Sequence, residues 1–311
     1  MTSIALIESA AARLAGHARV TPLLNAPLLD RIAGRRVFVK AECLQWTGSF
    51  KFRGGWSAVS ALPPGTKGVM AYSSGNHAQG VALAAHHHGL PCVILMPADA
   101  PAVKIANTRA YGAEVVLYDR ATEDRDAIGE NLAATRGLAL VKPFDDAQVI
   151  SGQGTVGLEI ARQAAEAGIS AATVLTCCGG GGLTAGIALA LEARAPHLSV
   201  RPCEPAGFDD TARSLVSGKR ERNAATTGSI CDAIVTPSPG EITFPILQRL
   251  CGRGLVVSDA QVLHAMALAF AWIYCTTAAH YLLEDSALDK FLWPTHKQVG
   301  LLLMGLLLVR L

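Results

Sequence analysis

The sequence predicts an α/β protein built of two open-sheet α/β/α domains that are interleaved along the chain. Two observations predict this architecture. Short β-rich runs alternate with alanine-rich segments of helical length, the pattern of mainly parallel sheets covered on both faces. No linker, internal repeat or low-complexity tract divides the 311 residues, so two lobes have to share the chain by alternation. We expect a large discontinuous domain at 1–67 and 146–311 and a small one at 68–145. A chain that is 50% hydrophobic and 17% charged has ample material for both cores.

Taken in order, the first strand is expected at 36–42 (RVFVKAE) and is followed by Thr47-Gly48-Ser49, which opens the stretch GSFKFRGG. A strand at 68–72 runs into YSSGNHAQG and a helix at 76–88, and strands at 92–96 and 114–118 precede a helix at 125–136. A helix at 153–167 leads to a strand at 173–178, the stretch CCGGGGLTAG, a helix at 183–194 and a strand at 199–203. Three of these junctions are rich in glycine and hydroxyl residues just before a helix. Free N–H groups and the helix dipole favour an anion there, and strand ends in open sheets are where ligands bind.

Composition excludes several classes of function. The net charge is +2 and the one basic cluster, Lys219-Arg220-Glu221-Arg222, is broken by an acid, which argues against a nucleic-acid partner. The eight cysteines include no CxxC pair and lie mostly in apolar runs, as reduced buried thiols do. The N-terminus carries Glu8 and no basic leader, so a cytoplasmic protein is expected. The longest apolar run, Val299 to Val309, is too short to span a membrane and reads as a buried strand.

Gly179 to Gly182 let consecutive N–H groups face one concavity, a nest for phosphate or carboxylate. They lack the Gly-Lys-Ser/Thr of a Walker loop and the spacing of a dinucleotide fingerprint. Lys51 sits between Phe50 and Phe52, where Ser49 or Thr47 is expected to cap a helix beginning near it. Desolvation and a helix N-terminus both favour the neutral, nucleophilic amine. A nucleophilic lysine and a phosphate nest suit a Schiff base to pyridoxal phosphate; a lysine that only contacts an anionic ligand is the other reading.

Five stretches in order, TGSFKFRGG, SSGNHAQGVA, SGQGTVGLEI, CCGGGGLTAG and TPSPGEITFPI, resemble the fold-type-II pyridoxal-phosphate enzymes, specifically the threonine/serine dehydratase and serine racemase family. The resemblance runs from about Thr21 to Phe270. It implies that the cofactor lies in the cleft between the domains, bound covalently to Lys51. Asn76 would bond its phenolic oxygen, and Gly179, Gly180, Gly181, Gly182 and Leu183 would hold its phosphate. Ser73, Ser74, Gly75, Asn76 and His77 would receive the substrate carboxylate, and Ser74 matches the serine that in racemases works opposite the lysine.

The implied activity is elimination from L-threonine, L-serine or a related β-hydroxy amino acid, giving a 2-oxo acid and ammonia. Racemisation, β-replacement and a catalytically impaired relative are the alternatives, and a homodimer is implied. The resemblance also places Mg²⁺ or Ca²⁺ at Glu204, the Phe208 carbonyl and Asp210, against a plain helix cap by Asp209 or Asp210. Three further stretches read as structural. His86-His87-His88-Gly89 reads as a helix end, Cys177-Cys178 as packed thiols, and Trp46 as lining the substrate mouth or packing in the core. After Phe270 the pattern fades, and Met304 stands where the family has a serine at the pyridine nitrogen. A thioether cannot donate that hydrogen bond.

Overall fold

The computed structural model describes residues 2–268. The expected strand at 299–309 and Met304 lie outside the described residues. Helix α1 (Ile4–Leu14) starts at Ser3, whose side chain accepts from Leu6 N–H. The hairpin β1 (Leu23–Asn25) and β2 (Phe38–Lys40) follows, spanning the short helix α2 (Pro27–Ala33). Then come α3 (Lys51–Ser60), β3 (Val69–Tyr72), α4 (Asn76–His87), β4 (Cys92–Pro97), α5 (Ala102–Ala110), β5 (Glu114–Tyr118), α6 (Arg125–Arg136) and β6 (Ala139–Leu140). The described chain continues with α7 (Ala147–Glu166), β7 (Ala172–Cys177), α8 (Gly182–Arg194), β8 (Leu198–Pro205), α9 (Asp210–Ser217), α10 (Thr243–Leu250) and β9 (Leu255–Val257).

Two parallel sheets organise this order. One has the strand order β5-β4-β3-β6, with Val69 beside Cys92 and Val93 beside Glu114. The other has the order β7-β8-β9, with Cys177 beside Cys203. Strand β4 is buried at every position, as its uninterrupted apolar run CVILMP requires when helices cover both faces.

The expected helix at 153–167 begins earlier, at Ala147. Asp146 takes the amides of Gln148 (2.8 Å) and Val149 (3.0 Å), and this cap outweighs the glycines that follow. Neither Ser49 nor Thr47 caps α3. Phe50 occupies the capping position, and Ser49 is one residue too early to reach the first free amides. Its Oγ and that of Thr47 are buried without a partner. Trp46 is 42% exposed and lies outside both the core and the candidate cleft; its ring carries the Arg19 guanidinium at 3.7 Å, and its Nε1 donates to the His17 carbonyl. The histidine run does end α4, and Gly89 turns the chain with φ +64°.

Helices α3, α4 and α7 approach more closely than side chains permit. A Cβ at Gly80 would lie 2.9 Å from the Lys51 carbonyl carbon, and one at Gly152 would lie 2.4 Å from the Arg53 carbonyl oxygen. Arg53 clamps this contact. It is 1% exposed, and it donates to Glu42 at 2.8 Å and Glu159 at 2.7 Å, to Thr155, and to the Arg19 carbonyl. Lys40 completes the group by donating to Glu159 at 2.5 Å. Replacing Arg53 with Met should lower stability by about 3–5 kcal/mol in urea unfolding, because two carboxylates lose their shared cation. An unchanged unfolding midpoint would show that the network contributes no net stability.

Candidate active site

The ends of β3 and β7 and the starts of α3, α4 and α8 meet at a cavity of about 210 Å³. Lys51, Ser73, Ser74, Gly75, Asn76, His77, Gly179, Gly180, Gly181, Gly182 and Leu183 all border it. The structure therefore brings together every candidate residue except the three of the metal reading.

Lys51 is the first residue of α3 and donates from Nζ to the Pro143 carbonyl at 2.8 Å. Burial lowers its pKa to about 8, and the nearby Cys177 opposes that shift weakly. The lysine is thus far readier to lose its proton than one in water. Phe50 turns its ring toward the amine, with Nζ 5.5 Å from the ring centroid.

The glycine nest is shaped by its surroundings. A Cβ at Gly180 would sit 2.2 Å from the Phe144 ring, and Gly181 adopts φ +90° as the residue before α8. The Gly180 carbonyl accepts from Thr243 Oγ1 at 2.6 Å and from Gly240 N–H at 3.1 Å. Asp145 in turn holds the amides of Glu241 and Ile242 at 3.0 and 2.8 Å. This clasp explains the stretch TPSPGEITFPI, which ties down the nest from outside the cavity. A run of backbone on which the surrounding protein leaves no room for a Cβ, next to a helix N-terminus, fits a phosphate group.

On the opposite wall, Ser73 Oγ accepts from Gly75 N–H at 3.1 Å, shaping the loop that leads into α4. Ser74 is exposed within the cleft, and Asn76 is half-buried. The His77 side chain turns inward instead: it is 2% exposed, and its Nε2 lies 3.0 Å from the Val141 carbonyl. Burial and the Lys51 charge push its pKa down to about 3, so the ring is neutral.

Several cavity residues escaped the sequence reading. Lys104 is 7% exposed and borders the cavity, and its Nζ would lie 2.7 Å from a Cβ at Gly75. Burial lowers its pKa and Asp232 opposes that shift, yet it forms no salt bridge among the described residues. A lysine in a surface-like helix carries no sequence signal of burial. Gln153 is 1% exposed, and neither end of its carboxamide has a partner. Its place between glycines in an apolar helical stretch was a usable signal. Cys177 corrects the expectation of two packed thiols: Cys178 is buried, but Cys177 opens into the cavity beside Lys51.

The proposed metal ligands lie elsewhere, where β8 meets α9. Glu204 accepts from Thr211 N–H at 2.9 Å and Ala212 N–H at 2.7 Å, so it caps α9 from the neighbouring strand. The alternative to the metal reading, a plain cap by Asp209 or Asp210, is not what forms; neither side chain bonds a helix amide. Asp210 Oδ1 accepts from Asn223 at 2.6 Å, while its Oδ2 is buried without a partner. Burial raises Glu204 to about 8 and Asp210 to about 6. Among the described residues no cluster of three or more acidic, histidine or cysteine ligands suits a metal ion.

Comparison with known proteins agrees with this geometry. The family described as "Pyridoxal-phosphate dependent enzyme" matches residues 14–280. The chain is 43% identical to an L-threo-3-hydroxyaspartate ammonia-lyase of Pseudomonas sp over 84% of its length and 81% of that protein's. It is 34% identical to a serine racemase of Oryza sativa subsp. indica, covering 96% of this chain and 89% of the other. The solved structure of maize serine racemase superposes with a TM-score of 0.80 at 36% identity, covering 86% of this chain and 80% of that one. With the lysine, the nest and the intervening loop on one cavity, and a family match across most of its length, the chain belongs to the pyridoxal-phosphate dependent enzymes of fold type II.

Proposed function

We propose that this chain is an ammonia-lyase that converts a β-hydroxy amino acid, of the L-threonine and L-serine type, to a 2-oxo acid and ammonia. The observation that carries the proposal is the placement of a readily deprotonated Lys51 between an anion nest and the loop that opens α4. Gly179 to Leu183 would hold the cofactor phosphate, and Asn76 would bond its phenolic oxygen. When bound, the cofactor supplies an electron sink for the charge that develops at the substrate Cα. The amides of the Ser73 to His77 loop orient the substrate carboxylate at the start of α4. Lys51 is the residue that would hold the cofactor covalently, and as a free amine it would take the Cα proton. In this reading residues 68–145 form a small domain that brings the substrate loop to the large one, and the enzyme is a homodimer. A cytoplasmic location is part of this reading, supported by a sequence whose eight cysteines include no CxxC pair and lie mostly in apolar runs.

Lys51→Ala should abolish the visible absorption band of the lysine-bound cofactor and the release of 2-oxo acid from L-serine. A retained band would overturn the assignment of Lys51. The same assay examines the racemase reading, which the exposure of Ser74 in the cleft favours: D-serine without oxo acid would support it.

The substrate class can be narrowed. A buried lysine is rarely left without an anion, and Lys104 borders the cavity together with Arg125, whose guanidinium also pairs with Asp126 at 3.0 Å. We assign these cations to a second carboxylate, which makes a β-hydroxy dicarboxylic amino acid the preferred substrate. L-threo-3-hydroxyaspartate, the substrate in the names of the Pseudomonas and Saccharomyces cerevisiae relatives, has that chemistry. Lys104→Met should reduce kcat/KM for hydroxyaspartate by about 10- to 100-fold, the cost of one charged hydrogen bond, and leave threonine nearly unaffected. An equal loss on both substrates would place Lys104 on the shared α-carboxylate instead.

We further propose that Mg²⁺ or Ca²⁺ binds Glu204, Asp210 and the Phe208 carbonyl. The unpartnered Asp210 Oδ2 supports this, since hard cations take oxygen ligands. Either ion at 100 times its Kd should stabilise the protein by about 2.7 kcal/mol, seen as a rise in Tm that Asp210→Asn removes. No rise in the wild type would leave Glu204 as a helix cap alone.

A further inference from the structure

Two buried side chains beside Lys51 have polar atoms that the mechanism above does not use. Gln153 projects from the second turn of α7 against Gly54, where a Cβ would lie 2.3 Å from its Nε2. Gly54 is one turn beyond Lys51 and Phe50 on α3, so the carboxamide runs along the helix face that carries the lysine. Neither its Oε1 nor its Nε2 has a partner, and the residue is 1% exposed.

His77 approaches the same turn from α4. Gly80, one turn further on the same face of α4, abuts the Lys51 backbone. The Val141 carbonyl can only accept, so His77 Nε2 carries the proton at that 3.0 Å contact, and Nδ1 is left as a bare acceptor. That Nδ1 is buried with no partner. Among titratable neighbours, Cys177 from β7 is the other group beside the amine; desolvation by the cavity walls raises its pKa, which favours the neutral thiol.

Lys51 already donates one N–H to the Pro143 carbonyl. As a neutral amine it has one further N–H and one lone pair. We propose that Gln153 and His77 are positioning residues for Lys51, acting through one buried water that accepts its second N–H. The water donates to His77 Nδ1 and Gln153 Oε1 and receives from the amine, which matches donors to acceptors at a polar, roomy site. With both N–H groups held, the lone pair has one direction left, into the cavity where the substrate Cα proton is presented. Orientation of this kind raises kcat without strengthening substrate binding.

The inference rests on Lys51 being the base, and its test keeps the two apart. Gln153→Met removes the carboxamide at similar length, and His77→Gln keeps a donor to Val141 while removing Nδ1. In the holoenzyme, each should lower kcat for oxo-acid release with KM little changed. In the full chain freed of cofactor, the pH midpoint for acetic anhydride labelling of Lys51, about 8 for the wild type, should fall by about half a pH unit or more. The direction follows because losing a water that solvates the ammonium form favours the neutral one. A crystal structure of the holoenzyme should show the water within hydrogen-bonding distance of both side chains. An unchanged midpoint in both folded variants, or the lack of that water, overturns the inference. Oxo-acid release that survives Lys51→Ala, with the water in place, would refute the base assignment alone.

Discussion

The buried guanidinium of Arg53 is the interaction on which the site depends. It lies two residues after Lys51 and joins α3 to Glu159 of α7 and to Glu42 in the segment before the lysine. A charge taken out of water is tolerated only when every donor is used, and Arg53 spends its donors on two carboxylates, a hydroxyl and a carbonyl. The first turn of α3 therefore has little freedom to shift or rotate. Gly80 and Gly152 supply the complementary condition, because α4 and α7 reach that turn only where no Cβ intervenes. Lys51 inherits its position from this packing.

Electrostatics at the cavity follow from the same geometry. The free N-terminal amides of α4 and α8 come from different sheets and open on one space, which makes it receptive to anions at two places. The lysine between them is lowered to about 8 chiefly by loss of water. His77, beside it, stays neutral for the same reason, so it adds hydrogen-bonding capacity without adding charge. Lys104 puts a further cation beside Gly75, at the start of α4. In the proposed reading the cavity divides into a phosphate end, a reacting centre and a carboxylate end.

Glu204 shows how a helix can be capped from outside its own first turn. Its carboxylate caps α9 from β8, a role usually taken by the residue at the helix start. Asp209, which stands at that start, forms a partly exposed ion pair with Arg213 at 3.5 Å instead. The cap comes from a strand neighbour because β8 delivers Glu204 directly under the first turn of the helix. This arrangement leaves Asp210 Oδ2 as the unsatisfied atom of the pair.

By itself the sequence determined the alternation of strands and helices, the nest and the lysine. These are local features: periodicity, four adjacent glycines, and a lysine flanked by aromatic residues. The apolar run of β4 and the bounds of α6, from the Asp124 cap to the left-handed Gly137, were legible for the same reason. The start of α7 departs from expectation because one aspartate cap outweighs the glycines after it, and the cap on α9 comes from the end of the preceding strand, where no capping pattern at the helix start points. Only the tertiary structure decided that Lys104 and Gln153 are buried at the cavity, that Cys177 faces it while Cys178 does not, and that the His77 ring turns away from the substrate loop. Burial, desolvation and the partner of a buried polar atom depend on which distant segments pack together, and no spacing along the chain records that.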